Sequence, residues 1–350
     1  MTNKIKYLPH LDSMRLFAML LIFMSHCYFL NLSVDTEQVY NKYFCYSGLG
    51  VEFFIILSGF FASYTYREES YSLYVKKKIK RLFPVHWICL ILGGYLLGIH
   101  CAKIPITTPV SCVLLQSIMP WFASTNPPSW TISTLFIIYL ITPVLIRLCI
   151  RIPYRWYLAL ALILGVGSTV INWYLYDPSN ETMFWFLYVS PYFRIVTFSI
   201  GLFLGLHIRN CSHEKLSRSL YLSSILEIFS LSFIVCIMFL WGKQACYWYT
   251  IPISICILIF AKGDGGVSRL LQNRHIVSVS KISYCFYLVH FPILEFMGYL
   301  LQYKGVNTAS YLWVCFGMSL IISLLLSSVI HLCVEKQVSN IKITYSVMNQ

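Results

Sequence analysis

Residues 12–30 read DSMRLFAMLLIFMSHCYFL, a long apolar run with Asp12 and Arg15 at its start and a single histidine, His26, near its far end. At about 1.5 Å rise per residue a helix sets Arg15 and His26 about 16 Å apart, roughly half of a hydrocarbon core about 30 Å thick. One helix would therefore hold a fixed cation near one face of a bilayer and a titratable imidazole well toward the other. Ionisable side chains at membrane depth are expensive, and by default they point to function.

The chain around this stretch has 350 residues, 58% hydrophobic and only 11% charged, with mean hydropathy +0.70. Soluble domains carry about 25% charged residues, so a soluble globular core is excluded. The expected fold class is all-α: a polytopic membrane helical bundle of about ten transmembrane helices, forming a single domain over 1–350. Apolar runs long enough to span fall near 11–30, 47–66, 82–99, 130–149, 156–174, 186–206, 220–241, 244–261, 282–302 and 309–333. The first of these is expected to stay as a span, with no separate leader before it. The shorter, Pro-bounded 108–122 reads as a re-entrant or interfacial piece of an outer loop.

Orientation follows from Lys and Arg. With the N-terminus cytoplasmic, twenty of the 26 basic residues fall on inner segments and four on outer ones, while Arg15 and Arg194 lie within spans. Both termini are then cytoplasmic. The net charge of +13 reflects this asymmetry, and no nucleic-acid partner is needed to account for it. The 13 cysteines lie mostly inside apolar runs, without paired metal spacing. They read as packing residues, although Cys101 and Cys112 share one outer loop and could pair. No metal is expected.

Glu52, in GLGVEFFIILSGFF, falls at a depth similar to His26 on the next span. A carboxylate beside an imidazole fixes its tautomer and raises its basicity, which suits a general base or an acyl-accepting nucleophile. A plain polar contact between helices is the alternative. In YVKKKIKRLFPVHW (74–87), Lys78 and Arg81 share one helix face. With Arg15 they could clamp phosphates, and lipid headgroups compete for the same cations. Trp130 and Ser133 begin the fourth span. Trp130 is either an interfacial anchor or a substrate platform, and Ser133 bonds either its own helix or a substrate. In KISYCFYLVHFPIL, Tyr284, Tyr287 and His290 recur every three residues on one face; His290 and Tyr287 are candidates to line a polar cavity and touch substrate. Arg194 needs a partner within the bundle, with Glu227 or Glu295 available.

LDSMRLFAMLLIFMSH, GLGVEFFIILSGFF, KIKRLFPVHW, SWTISTLFIIYLITP, SYCFYLVHFPIL and the closing VEK, in this order, resemble the acyltransferase-3 family of integral-membrane acyltransferases, which O-acetylate bacterial surface sugars. The resemblance implies a roughly ten-helix domain that takes an acyl group, usually acetyl, from cytoplasmic acetyl-CoA to an acceptor across the membrane. It implies His26 as the essential first-helix histidine and Arg15 as the arginine preceding it. Lys78 and Arg81 fall on a third-helix arginine pair, and Glu52 on an acidic or polar position. Lys78 departs from that pair. Leu135 and Phe136 stand where many polysaccharide-acetylating members have a glutamate.

The implied partners are acyl-CoA, an extracytoplasmic carbohydrate acceptor and membrane lipid, with a second copy of the chain left open. Two rival readings use the same residues. A transporter or exporter of a polysaccharide or its precursor would line a pathway with them, but transporters often carry inverted repeats and matched broken helices, which this chain lacks. A non-enzymatic scaffold would leave Arg15, His26 and Glu52 unexplained.

Overall fold

A computed structural model describes residues 6–30, 44, 46–100, 108–120, 124–177, 179–211, 219–241, 246–303 and 308–340. Among these there is no strand. The expected spans correspond to α1 (Pro9–His26), α2 (Ser47–Tyr64), α3 (Tyr71–His100), α4 (Trp130–Ile150), α5 (Tyr157–Leu175), α6 (Pro191–Cys211), α7 (Leu220–Trp241), α8 (Thr250–Phe260), α9 (Ser283–Tyr303) and α10 (Thr308–Ile330). Among the described residues, eight helices are long and apolar enough to cross a membrane by length and composition. The two outside that set have plain reasons. In α1, His10, Asp12, Arg15 and His26 dilute the apolar run. The eighth span, expected over 244–261, is a shorter apolar helix over Tyr247–Phe260. The protein is a polytopic helical bundle.

Small residues set its spine. A Cβ at Gly59 on α2 would lie 2.0 Å from the Phe198 carbonyl oxygen, and one at Gly201 on α6 would lie 2.0 Å from that of Ile56. The backbones of α2 and α6 are thus in direct contact, the close approach that small residues permit where lipid offers no hydrophobic drive. The Ser63 hydroxyl donates to the Leu202 carbonyl at 2.8 Å and ties the same seam. Gly50 does this between α2 and α1: its Cβ would meet the Ala18 carbonyl oxygen at 2.6 Å.

A second group of helices packs against this spine. Leu82, Phe83, Val85 and Cys89 of α3 share a core with Ile132, Phe136 and Ile138 of α4 and with Leu288 and Val289 of α9. Phe23 and Met19 of α1 join Phe286 and Leu294 of α9 in a smaller cluster. The stretch before α4 folds into the bundle as a short helix, Thr108–Cys112, and a turn, Gln116–Ile118. Ser111, Leu114, Gln116 and Ser117 are buried there. Leu114 takes φ 57°, uncommon for a non-glycine residue, and its carbonyl accepts the Ser133 hydroxyl at 2.8 Å.

Candidate active site

α1 and α3 bring their cations to one cavity of about 370 Å³. Arg15 pairs with Asp12 at 3.0 Å, and its guanidinium lies 5.0 Å from the centre of the Phe61 ring. The Tyr7 phenol, just ahead of α1, is pushed up to about 12, first by burial and then by Asp12, so it stays a donor to that carboxylate. Lys78 sits over the Tyr139 ring, its Nζ 3.8 Å from the centroid. Arg81 and Lys281 complete the cationic wall, and Phe54, Leu82, Ile132 and Leu135 supply an apolar one. Of the run 76–81, Lys78 and Arg81 line the cavity, whereas Lys77 turns away to pair with Glu69. Sequence reasoning thus placed Arg15, Lys78 and Arg81 on one site, and the structure gathers them.

Missing from that prediction was Lys281. It lies three residues before Tyr284, so the three-residue spacing of Tyr284, Tyr287 and His290, extended back one step, reaches it. That face of α9 joins the bundle's parts together. The Tyr284 hydroxyl donates to the Leu82 carbonyl at 2.6 Å, and the Tyr287 hydroxyl donates to that of Pro128 at 2.8 Å while lying 2.7 Å from the Thr131 hydroxyl.

Tyr287, Thr131 and Phe54 line the cavity, and neither His26 nor His290 does. Behind Tyr287 is His290, their ring centres 5.9 Å apart. His290 is buried, and its Nε2 lies 2.9 Å from Nδ1 of the part-exposed His26. The two imidazoles are nearly parallel, 17° apart. Phe23, Phe286 and Phe291 pack around them. The basic cavity and the His26 imidazole are therefore separated by the thickness of Tyr287 and His290, and the wall between them is aromatic.

Several expected placements need correcting. Glu52 does not bond His26. Its carboxylate accepts from Arg194 at 2.5 Å and from the Thr250 hydroxyl at 2.6 Å, deep in the bundle. Gly50 is the α2 residue that presses on α1, and two residues further on a helix has turned about 200°, which aims Glu52 toward α6 and α8. Arg194 accordingly finds Glu52 rather than Glu227. Glu227 instead accepts the Gly265 and Ser268 amides, each at 3.1 Å, and the Ser268 hydroxyl. Ser133, a candidate for substrate contact, is spent holding the 111–117 segment: besides bonding Leu114 it lies 2.8 Å from the Ser117 hydroxyl. Trp130, outside the cavity wall, packs 5.2 Å from the Tyr188 ring. Cys101 lies outside the described residues.

At the cavity's rim, Cys285, His331 and Glu335 bring three ligand-type atoms within 4.8 Å of one another. Cys285 and His331 both bond Glu335 Oε2, at 3.2 and 2.7 Å. His331–Glu335 is a π-helical turn, a local widening often found at functional sites.

The chain matches the sequence profile of a family described as Acyltransferase domain over residues 8–328. It is also similar to Acyltransferase MdmB of Streptomyces mycarofaciens, at 24% identity over 368 residues, covering 94% of this chain and 92% of that protein. No solved structure matches it.

Proposed function

This chain belongs to the acyltransferase-3 family, and from that premise we propose that it moves an acetyl group from cytoplasmic acetyl-CoA to a hydroxyl of an extracytoplasmic sugar or polysaccharide. The observation that carries the reading is the single cavity on which Arg15, Lys78, Arg81 and Lys281 converge, at the end of the bundle that the Lys/Arg bias turns to the cytosol. Its volume lies within the range of about 300–1,000 Å³ usual for small-molecule sites. Fixed cations facing an apolar wall suit the phosphates of a nucleotide thioester, and the reading requires its extended thiol-bearing arm to move Tyr287 aside and pass His290 before the acyl carbon meets His26.

Arg15, Lys78, Arg81 and Lys281 hold the phosphates, Arg15 steered by Asp12. The thioester supplies an activated acyl carbon. His26 acts either as the base that takes the acceptor's hydroxyl proton or as the group that first accepts the acyl. In the direct route the hydroxyl oxygen bonds to the acyl carbon, the carbon–sulfur bond breaks, and His26 hands the hydroxyl proton to the departing sulfur. The similarity to a Streptomyces protein named as an acyltransferase supports transfer chemistry over transport.

The test uses the full chain in lipid nanodiscs. Titration calorimetry with CoA should show binding that weakens strongly in Lys78→Glu and Arg81→Glu proteins. Acetyl-labelled CoA added at the cytoplasmic face of right-side-defined vesicles should label carbohydrate at the other face. Absence of CoA binding, with carbohydrate flux in the same vesicles, would overturn the reading in favour of an exporter.

A further inference from the structure

Resting on that reading, we infer that His290 is a positioning residue that holds His26 in one tautomer and so selects Nε2 of His26 as the atom that does the chemistry. The argument starts from a carbonyl. His290 Nδ1 lies 3.2 Å from the Phe286 backbone oxygen, one helical turn earlier on α9. A carbonyl only accepts, so in a neutral ring this nitrogen carries the proton. The other nitrogen of His290, Nε2, then has a bare lone pair. That lone pair faces His26 Nδ1 at 2.9 Å, and the contact is a hydrogen bond only when His26 Nδ1 carries its proton. His26 is therefore the Nδ1–H tautomer, and its Nε2 is left unprotonated.

No other hydrogen bond to the His26 ring is seen among the described residues, so nothing competes for that lone pair. The same nitrogen serves both routes left open above: it takes the hydroxyl proton, or it bonds the acyl carbon. The chain Phe286 carbonyl, His290, His26 does the work that a buried carboxylate does for a catalytic histidine elsewhere, with two differences. The orienting group is neutral. It is also set by the backbone of its own helix, so its direction does not depend on a rotatable partner. The rings that pack on this pair, Phe23, Phe286 and Phe291, offer no acceptor that could draw the His26 proton elsewhere. The inference also explains why Glu52 is free to serve Arg194.

The experiment measures kcat and KM for acetyl-CoA, together with CoA binding, in nanodisc-held wild type, His290→Leu and His290→Gln. A glutamine places an amide oxygen where Nε2 stood, so it can still accept from His26 Nδ1, whereas leucine cannot. His290→Leu should lower kcat about 100-fold, in the range of lost general-base catalysis, with KM and CoA binding within about twofold of wild type. His290→Gln should recover to within about tenfold of wild type. A His26→Ala/His290→Leu double variant should be no slower than His26→Ala alone, as expected of groups that act as a unit. Equal kcat for the leucine variant and wild type would overturn the inference and leave the acyltransferase reading standing. An inactive wild type that binds no CoA would overturn the reading itself. Should His290→Leu fail to fold, solid-state nitrogen spectra of histidine-labelled wild type, with His26 assigned by its loss in His26→Asn, decide the matter. A protonated Nδ1 and bare Nε2 on His26 are expected, and the opposite tautomer overturns the inference.

Discussion

Two of the polar pairs inside this bundle are built on opposite plans. Glu52 and Arg194 meet at 2.5 Å where α2 and α6 cross, both buried. The remaining Glu52 oxygen takes Thr250, and Arg194 Nε donates to the Tyr188 carbonyl at 2.6 Å while its guanidinium lies 4.8 Å from the Tyr188 ring centre. Both carboxylate oxygens of Glu52 are thereby engaged by donors. His26 and His290 also meet at hydrogen-bond distance, yet His26 is part-exposed and its second nitrogen has no hydrogen bond among the described residues. A pair whose carboxylate oxygens are both engaged ties helices together; a pair with a spare lone pair can react. What separates structure from chemistry here is spare bonding capacity, since both pairs are ionisable and both sit at membrane depth.

The largest expected effect breaks the comparison from the open side. His26→Ala should cost about 10³-fold in acetyl transfer, within the range for a general acid–base residue, while the melting temperature and CoA affinity stay near wild type. A variant that transfers normally would show that this imidazole is no more reactive than the Glu52 pair.

Close behind comes the closed side. Removing one partner of a buried ion pair leaves an uncompensated charge and costs about 3–5 kcal/mol. Glu52→Ala should therefore unfold at markedly lower temperature or denaturant than wild type, and yield less folded protein, while the folded fraction keeps most of its kcat. Replacing both partners with apolar residues, Glu52→Leu with Arg194→Met, should restore much of that stability. A Glu52→Ala protein of normal stability but lost kcat would move Glu52 back beside the reacting atoms.

The contrast also marks how far the residues could be read without coordinates. An isolated Arg15 and His26 in an apolar run announce themselves because burial makes them expensive. The shared face of Lys78 and Arg81 follows from helical period alone. Glu52 was legible as a buried charge, but depth along a helix says nothing of azimuth, and Glu52 is aimed by Gly50, whose missing side chain fixes which face of α2 meets α1. Ser133 was harder still, because its partners belong to the 111–117 segment, which enters the bundle through a left-handed Leu114. Lys281 was within reach, three residues before Tyr284, and was hidden only because it precedes the apolar run.

A smaller effect is expected at the cationic wall. Charge-assisted hydrogen bonds contribute about 1.5–3 kcal/mol, so Arg81→Gln should raise KM for acetyl-CoA by about ten- to a hundredfold and leave kcat nearly unchanged. On the proposed reading the phosphates would lie far from the reacting carbon and be held equally in ground and transition states, which is the signature of uniform binding. An unchanged KM with a lower kcat would mean that Arg81 acts on the bundle rather than on the donor.

The smallest expected change sharpens the comparison at Lys78, where the family resemblance implies an arginine. Its ammonium rests 3.8 Å from the Tyr139 ring centre and 5.2 Å from that of Tyr74, an arrangement worth about 0.5–1 kcal/mol at exposed sites and more where water is excluded. An ammonium is a point charge, whereas a guanidinium is a planar fork that stacks on the same ring and grips a phosphate through two hydrogen bonds. Lys78→Arg should accordingly keep the ring contact and lower KM for acetyl-CoA by about two- to threefold, with no change in kcat. The opposite result, a higher KM, would mean that the tyrosines have shaped this corner of the cavity to a compact ammonium. In that case the open site, like the closed one, would owe part of its form to packing rather than to its ligand.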